Sequence, residues 1–477
     1  MQLKIDKLTI YSDENLTTRA HLSDRRALLG PLNFSFSDQE PVTVLGHTGA
    51  GKSLLAQALM GTLAVNLTVT GTLTINGRIF DLADRKKLQA LWGKTLVLLP
   101  QEPWNALNPL KKAASQIIEV GRFVLNQDKQ TASKQSIQRL ATLSLMDCQN
   151  KYPHQLSGGM AQRLTYAIIS CANTPVMILD EPSKGLDKTA VEQLFKQIKH
   201  TSQQAALLTI THDLALCQRL GGKLLIIQQG RQLAFAQTKQ LFTCPRLPYL
   251  EQLIAATKPP SIHKKFGSVN EVLLEMKDIQ YSISGKTILN NVNLTLKCAQ
   301  ITLIQGISGV GKSTLGDLIC GLKRPSRGHR SVDNQVGKLE IQKIYQEPTA
   351  VFAPGIPLKL LFKDVCKLHQ IKFSSVLNGM EKLKLDVSLL QRDKSSLSGG
   401  ELQRFALLRV FLLKPKIIVA DEVTSRLDEC HSRTILELLI NYCYEQNAAL
   451  VIISHQTEQI VTLADQIISL KPVLNKR

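Results

Sequence analysis

Short, mostly apolar runs recur along the chain, and they recur in pairs. The run 42–45 (Val-Thr-Val-Leu) matches 301–304 (Ile-Thr-Leu-Ile), 176–179 matches 417–420, and 205–211 matches 448–454. Runs this short, apolar but for an occasional threonine or serine, predict strands buried on both faces, as in a parallel sheet covered by helices. Polar residues sit where the runs stop. Asp180-Glu181 and Asp421-Glu422 close one pair, and His212 and His455 close another. The C-terminal ends of such strands are where open α/β sheets bind their ligands. Between 101 and 156 the pattern turns polar and helix-like, with Gln, Lys and Ser around Ile117-Ile118, Leu140 and Leu145. The stretch 346–397 is its counterpart, so each copy is expected to carry a helical insert.

The order and spacing of these features match over most of the chain, which marks a duplication. Leu156-Ser157-Gly158-Gly159 returns as Leu397-Ser398-Gly399-Gly400, and the interval from serine to aspartate is the same in both copies. The stretch before Gln346 is shorter than that before Gln101, so the second copy is expected to have a trimmed strand region. After residue 240 come Cys244-Pro245-Arg246-Leu247-Pro248-Tyr249, then Pro259-Pro260 and a Lys/Gly/Ser stretch, a composition that reads as tail and linker. The expected layout is α/β: a first domain over 1–240, a tail and linker over 241–270, and a second domain over 271–477.

Composition changes this picture little. With 477 residues, 44% hydrophobic, there is enough chain for two large cores. The net charge of +20 fits a nucleic acid, an anionic membrane surface, or simply solvated lysines, and charge alone does not choose among them. Nine cysteines, none in a C-x-x-C spacing, argue for reduced thiols rather than a disulfide framework or a zinc site. The start, with a charge in every short apolar run, does not read as a signal peptide, and no stretch reaches the ~20 apolar residues of a membrane span. Any membrane role is expected to come through partner subunits.

Two glycine-rich loops carry the chemistry. Gly46-His47-Thr48-Gly49-Ala50-Gly51-Lys52-Ser53 and Gly306 to Ser313 both follow a strand-like run and both fit G-x-x-x-x-G-K-[ST]. Glycines let the backbone wrap an anion with its N–H groups at a helix N-terminus. The lysine (Lys52, Lys312) reaches the outer phosphates, and the serine (Ser53, Ser313) offers a hydroxyl to Mg²⁺. The candidate ATP ligands are Gly46, Gly49, Gly51, Lys52, Ser53 and Leu54 in one loop, and Gly306, Gly309, Gly311, Lys312, Ser313 and Thr314 in the other. Asp180 and Asp421 are placed to hold Mg²⁺, directly or through water, and Glu181 and Glu422 to polarise a water in line with the γ-phosphate. A Leu-Ser-Gly-Gly that opens a helix over 161–171, with Leu164, Ile168 and Cys171 on one face, makes a second anion site from Ser157, Gly158 and Gly159, and again from Ser398, Gly399 and Gly400.

Leu-Ser-Gly-Gly joined to a P-loop and to Gln101 or Gln346 makes each half resemble an ATP-binding cassette (ABC) ATPase, over nearly the whole chain. Gln101-Glu102-Pro103-Trp104-Asn105-Ala106-Leu107-Asn108-Pro109, Tyr152-Pro153-His154-Gln155, Met160 and the 244–249 tail look like the oligopeptide/dipeptide/nickel importer ATPases. Residues 397–404 and 421–428 look like the second ATPase of nickel importers, so two usually separate subunits are here fused. Val423, Lys184-Gly185 and Arg426 depart from the family pattern without removing a phosphate, metal or water ligand. The cysteine-rich extension of many relatives is missing, so no iron–sulfur cluster is expected.

The resemblance implies ATP hydrolysis with Mg²⁺ and two cassettes paired head to tail within the chain, each ATP lying between one P-loop and the opposite signature. It adds Gln101 and Gln346 as metal-side and catalytic groups, and His212 and His455 at the γ-phosphate. It further implies two transmembrane permeases and an external solute-binding protein as partners, no nucleic acid, and a peripheral place on the cytoplasmic face of the inner (plasma) membrane. A nickel or other metal chelate, or a short peptide, is the expected solute, with the metal slightly preferred on the nickel-importer look of 397–404 and the missing cysteine extension. Tyr11 and Tyr281 are the candidates to stack on adenine. A ribosome-associated tandem-cassette translation factor is the first alternative, against which stands the short, proline-broken join. A tandem sugar-importer ATPase is the second, against which stands the complete second P-loop.

Overall fold

A computed structural model gives the fold. It describes residues 1–12, 26–47, 49–184, 186, 188–259, 271–283, 285–307, 309–424, 427–454 and 458–473, with the backbone alone at 188, 458 and 459. The chain divides into two compact units, Met1–Glu251 and Gln252–Arg477.

In the first unit the apolar runs become a parallel sheet. Its strands are β3 (Val42–Leu45), β6 (Leu96–Leu99), β7 (Val176–Asp180), β8 (Ala206–Thr211) and β9 (Lys223–Gln228), with β10 (Arg231–Gln237) antiparallel at one edge; the order is β10-β9-β3-β8-β7-β6. A second, antiparallel sheet joins β1 (Gln2–Ser12), β2 (Arg26–Ser37), β4 (Leu67–Ile75) and β5 (Arg78–Asp81) in the order β2-β1-β4-β5. Strand β7 shows why the runs carry no polar alternation. Val176 and Ile178 pack into one core, shared with Leu3, Ile5 and Leu73 of the antiparallel sheet. Met177 and Leu179 point the other way, into a core with Leu164, Tyr166 and Ala167 of the helix Gly158–Cys171. Both faces are covered, so both are apolar.

The second unit repeats the plan with fewer parts. Strands β13 (Ile301–Gln305), β15 (Ile341–Ile344), β16 (Ile417–Asp421), β17 (Ala449–Ile453) and β18 (Gln466–Ser469) form an all-parallel sheet in the order β15-β16-β17-β13-β18. Its antiparallel sheet has three described strands, β11 (Val272–Ile283), β12 (Lys286–Lys297) and β14 (Arg327–Val332), in the order β12-β11-β14. The trimming expected from the shorter run to Gln346 falls here, in the antiparallel sheet. Ile417 and Val419 face that sheet, while Ile418 and Ala420 face the helix Gly399–Phe411.

Helical inserts follow β6 and β15 as expected, including Ala113–Glu119 and Lys129–Thr142 in the first unit and Leu358–Leu368 and Phe373–Lys382 in the second. The stretch read as tail and linker includes the helix Pro248–Ala256, with Tyr249, Leu250, Leu253 and Ala256 buried, while 260–270 lie outside the described residues. No described helix is long and apolar enough to cross a membrane.

Candidate functional site

Each parallel sheet delivers its polar residues to one end. In the first unit Asp180 pairs in register with Ile210, and Leu45 with Thr211, so the strand ends feed the P-loop, Glu181 and His212 into one neighbourhood. In the second, Asp421 pairs with Ile453. Both P-loops run straight into helices, Lys52–Met60 and Lys312–Ile319, capped by Gly51 (φ 91°) and Gly311 (φ 103°) in the left-handed region. Gly46 is required for a different reason: a Cβ there would lie 2.5 Å from the carbonyl oxygen of Ile227. Around Gly49 and Gly309 a Cβ would meet nothing within 4 Å, so these turns border open space.

The lysines are buried and turned onto their own loops. Lys52 Nζ donates to the carbonyls of Gly46 (2.6 Å) and His47 (2.9 Å), and Lys312 Nζ to those of Gly306 (3.0 Å) and Ile307 (3.2 Å). A lysine held on the carbonyls of a glycine-rich loop at a helix N-terminus suits a polyphosphate. Leu54 and Thr314 continue the two helices one residue past the serines.

Glu181 and Glu422 share a feature not visible in the sequence. Both adopt a left-handed backbone, φ 51° and 50°, which non-glycine residues rarely take. Each still donates its N–H to the neighbouring strand, Glu181 to Ile210 O (2.8 Å) and Glu422 to Ile453 O (2.9 Å). Strain of this kind, about 1–2 kcal/mol, persists where the surroundings fix it and is common at reactive sites.

Each glutamate also has side-chain partners among the described residues. Glu181 is buried, bonded through Oε1 to His212 Nδ1 (2.9 Å) and through Oε2 to the Thr211 hydroxyl (3.2 Å), with Lys52 Nζ 3.8 Å from Oε1. Burial works against its charge, but the charge and hydrogen bond of His212, with Lys52 beside them, hold its pKa below the ordinary value. Burial likewise works against charge on His212, yet Glu181 raises its pKa. Glu422 accepts from Gln346 Nε2 (2.8 Å). Gln101 stands at the matching place after β6, and next to it Glu102 pairs with Lys184 (3.1 Å).

The aspartates differ more. Asp180 is hydrogen-bonded by Ser53, and its Oδ1 is buried with no hydrogen-bond partner among the described residues. Burial above all, with Glu181 next to it, raises its pKa to about 6 against the pull of Ser53, Lys52 and Lys184. A half-buried serine hydroxyl beside an orphaned carboxylate oxygen fits a hard divalent cation such as Mg²⁺. Asp421 accepts from Ser313 Oγ (3.1 Å) through Oδ1, and its Oδ2 lies 2.8 Å from Lys343 Nζ, which is itself 2.8 Å from Asp317 Oδ1. Burial disfavours charge on Lys343, but the hydrogen bonds and charges of Asp317 and Asp421 outweigh it and raise its pKa.

Lys343, Thr211 and the Lys184–Glu102 pair were missed by reading motifs. Lys343 could have been found by laying the two copies over each other, since it stands three residues before Gln346, where the first copy has Leu98 three before Gln101. Ser157 and Ser398 each cap a signature helix, accepting from Met160 N and Glu401 N (both 3.3 Å). Gly158 and Gly399 face open space, Gly159 follows in the first helical turn, and Gly400 packs against His431. Tyr11 lies in β1 and Tyr281 in β11. His455 lies outside the described residues.

The family model "ABC transporter" matches residues 29–184 and 289–425, together more than half of the chain. The chain is 25% identical to an uncharacterized ABC transporter ATP-binding protein, YejF, of Escherichia coli (strain K12), covering 97% of this chain and 94% of that one. It is 26% identical to the peptidoglycan transport ATP-binding protein YejF of Agrobacterium fabrum, covering 92% and 87%. It is also 26% identical to the glutathione import ATP-binding protein GsiA of Escherichia coli (strain K12), covering 97% and 85%. Among solved structures, the archaeal ribosome recycling factor aABCE1 in complex with stalk protein aP1 superposes with a TM-score of 0.63 at 20% identity, over 91% of this chain and 83% of that one, a likeness of fold. Two P-loops, two signature helices and two matches to one family model lead to one conclusion: the chain belongs to the ABC transporter family and is an ATPase made of two ATP-binding cassettes in tandem.

Proposed function

We propose that this chain is the energising subunit of an importer, docked beneath two membrane permeases that receive solute from an external binding protein. Its cassettes are assigned to 1–240 and 271–477, with 241–270 joining them and no nucleic acid as partner. The observation that carries this reading is the surface of the inserts. Trp104, Leu110 and Phe123 are 42%, 85% and 71% exposed in the segment that follows Gln101, and Gln116, buried, ties that segment down through Asn108 and Lys111. The second insert exposes Ile356, Leu360 and Leu368. Large exposed apolar side chains just past a glutamine at the nucleotide site suit a partner that responds to cassette closure. Relatives named for glutathione and peptidoglycan transport favour a peptide-like solute over a nickel chelate.

In this reading Lys52 and Lys312 leave their loop carbonyls for the outer phosphates, and the glycine N–H groups hold the rest of the triphosphate. The cassettes pair head to tail, so each signature serine and its glycines complete the site opposite. Glu181 and Glu422 orient and polarise the attacking water, with His212 and His455 at the γ-phosphate; His212 and Thr211 also keep the Glu181 carboxylate aimed and ionised. Gln101 and Gln346 link the site to the inserts. Mg²⁺, which the Ser53 and Asp180 pair would hold, supplies neutralisation of phosphate charge when bound. Detergent extraction of native membranes, with a tag on the full chain, tests the assignment. Recovery with two membrane proteins is expected at the cytoplasmic face of the plasma membrane, whereas sedimentation with ribosomes would move the protein to the translation-factor reading.

A further inference from the structure

The two copies differ in charge where they should be most alike. In the first cassette the sixth residue of the P-loop helix, with Lys52 as the first, is Gln57, and the residue of β6 in register with Ile178 is Leu98. In the second, the same two places hold Asp317 and Lys343, the latter in register with Val419. The sheet register therefore sets Lys343 beside Asp421 as it sets Leu98 beside Asp180. Leu98 has no polar atom to offer, and Asp180 Oδ1 is left unpartnered among the described residues. Lys343 fills the corresponding gap with an ammonium 2.8 Å from Asp421 Oδ2, and Ser313 takes the other oxygen.

We infer that Lys343 is a resident cation of the second nucleotide site, which lowers that site's affinity for Mg²⁺ relative to the first. The inference rests on Asp421 being the metal-side carboxylate of the proposed function. A carboxylate already matched by an ammonium at hydrogen-bond distance contributes little net attraction to an incoming dication, and the ammonium repels it. Nor does Lys343 swing out readily. Its side chain is 6% exposed and is held from the other side by Asp317, which a second lysine, Lys323, also pairs at 2.8 Å. Asp317 and Lys343 thus differ from the first copy together, as a pair in which the new charge is supported rather than stranded. The nucleotide can still be held through Lys312 and the loop N–H groups, so the change bears on the metal rather than on the phosphates.

Mn²⁺ binding, read by electron paramagnetic resonance with a non-hydrolysable ATP analogue, separates the sites without relying on turnover. In full-length Lys52→Ala protein only the second site takes nucleotide, and in Lys312→Ala only the first. The second site is expected to bind Mn²⁺ at least about tenfold more weakly, the loss of one charge-assisted contact. Lys343→Leu, and the double change Asp317→Gln with Lys343→Leu that copies the first cassette, should bring it back toward the first site. If the second-cassette variants melt early, the reciprocal change Gln57→Asp with Leu98→Lys should weaken Mn²⁺ binding in the first. Equal affinities in the two backgrounds, or a well-folded Lys343→Leu protein with unchanged affinity, would overturn the inference. Absence of any nucleotide-dependent Mn²⁺ site would instead overturn the assignment of the sites themselves.

Discussion

Replacing Glu181 by glutamine separates catalysis from folding more cleanly than any other change in the chain. The side chain is buried and nearly isosteric with glutamine, so no cavity opens. Its carboxylate takes two bonds, from His212 and from Thr211. A glutamine carbonyl can keep the first. Its amide can face the Thr211 hydroxyl, which already accepts from Asp213 N (3.0 Å) and has a second lone pair. Trading two charge-assisted bonds for two neutral ones costs about 1 kcal/mol each, and relief from burying a carboxylate offsets part of that. The net loss of stability should therefore stay under about 2 kcal/mol, a fall in melting temperature of less than about 8 °C for a unit of this size. Loss of the water-polarising base is far larger, about 10²–10⁴ in rate at that site. Steady-state phosphate release should keep at most about half of its wild-type value if the two sites fire independently, and less if they share one closing motion. The double variant Glu181→Gln with Glu422→Gln should be inert within those two to four decades while still binding nucleotide. A double variant that hydrolyses within about tenfold of wild type, or one that loses nucleotide binding along with hydrolysis, refutes the role given to these glutamates.

Three further outcomes follow from particular contacts. Ser398→Ala removes a cap that both accepts from Glu401 N and donates to the Glu401 carboxylate, and should cost about 1 kcal/mol in a denaturant titration. Gly46→Ala forces a Cβ against the Ile227 carbonyl, so the first site should lose more than about tenfold in affinity for a fluorescent ATP analogue while the second is untouched; an unchanged total stoichiometry at low analogue concentration would contradict this. His431 has its pKa raised, first by the hydrogen bond to Asp428, against burial and Arg404. A raised folded value means that its stabilisation is complete below the unfolded value of about 6.5 and is lost as pH rises through the folded one. The stability gap between wild type and His431→Gln should accordingly be widest near pH 5.5 and narrow by pH 8.5, and a gap independent of pH would count against the pair.

What the sequence displayed, and what it hid, divides along a physical line. Strand cores, P-loops, signature caps and strand-end acids are set by local rules: apolar periodicity, glycine at special angles, serine at a helix start. All of these could be read. The left-handed backbone of Glu181 and Glu422 could not, because no glycine or asparagine announces it; it follows from the strand end and from the bond of each N–H to the neighbouring strand. The helix Pro248–Ala256 was hidden by its own proline, read as linker chemistry although proline is favoured at the first helical position. Lys343 was hidden in a strand of four residues, Ile-Gln-Lys-Ile, where a lone lysine suggests a surface edge. Its ammonium becomes buried only because β16 ends in a carboxylate beside it.

The duplicated sites also show which parts of such a centre are free to change. Backbone geometry at the two glutamates is the same within a degree of φ, and both N–H groups make the same strand-end bond. One glutamate leans on His212 and Thr211, the other on Gln346. Glycine at either place would relieve strain of about 1–2 kcal/mol, yet both copies carry a carboxylate there. A strain borne twice points to a demand on the side chain's position rather than to an accident of packing. The metal side of each centre is under no such backbone constraint. In the proposed sites, the residues beside the metal-side aspartates come from the P-loop helix and from β6 or β15, and there a glutamine and a leucine in one copy stand against an aspartate and a lysine in the other. In the proposed reading, then, the two sites differ in the charges beside the metal-side aspartate, while the backbone geometry that places the two glutamates is held in common.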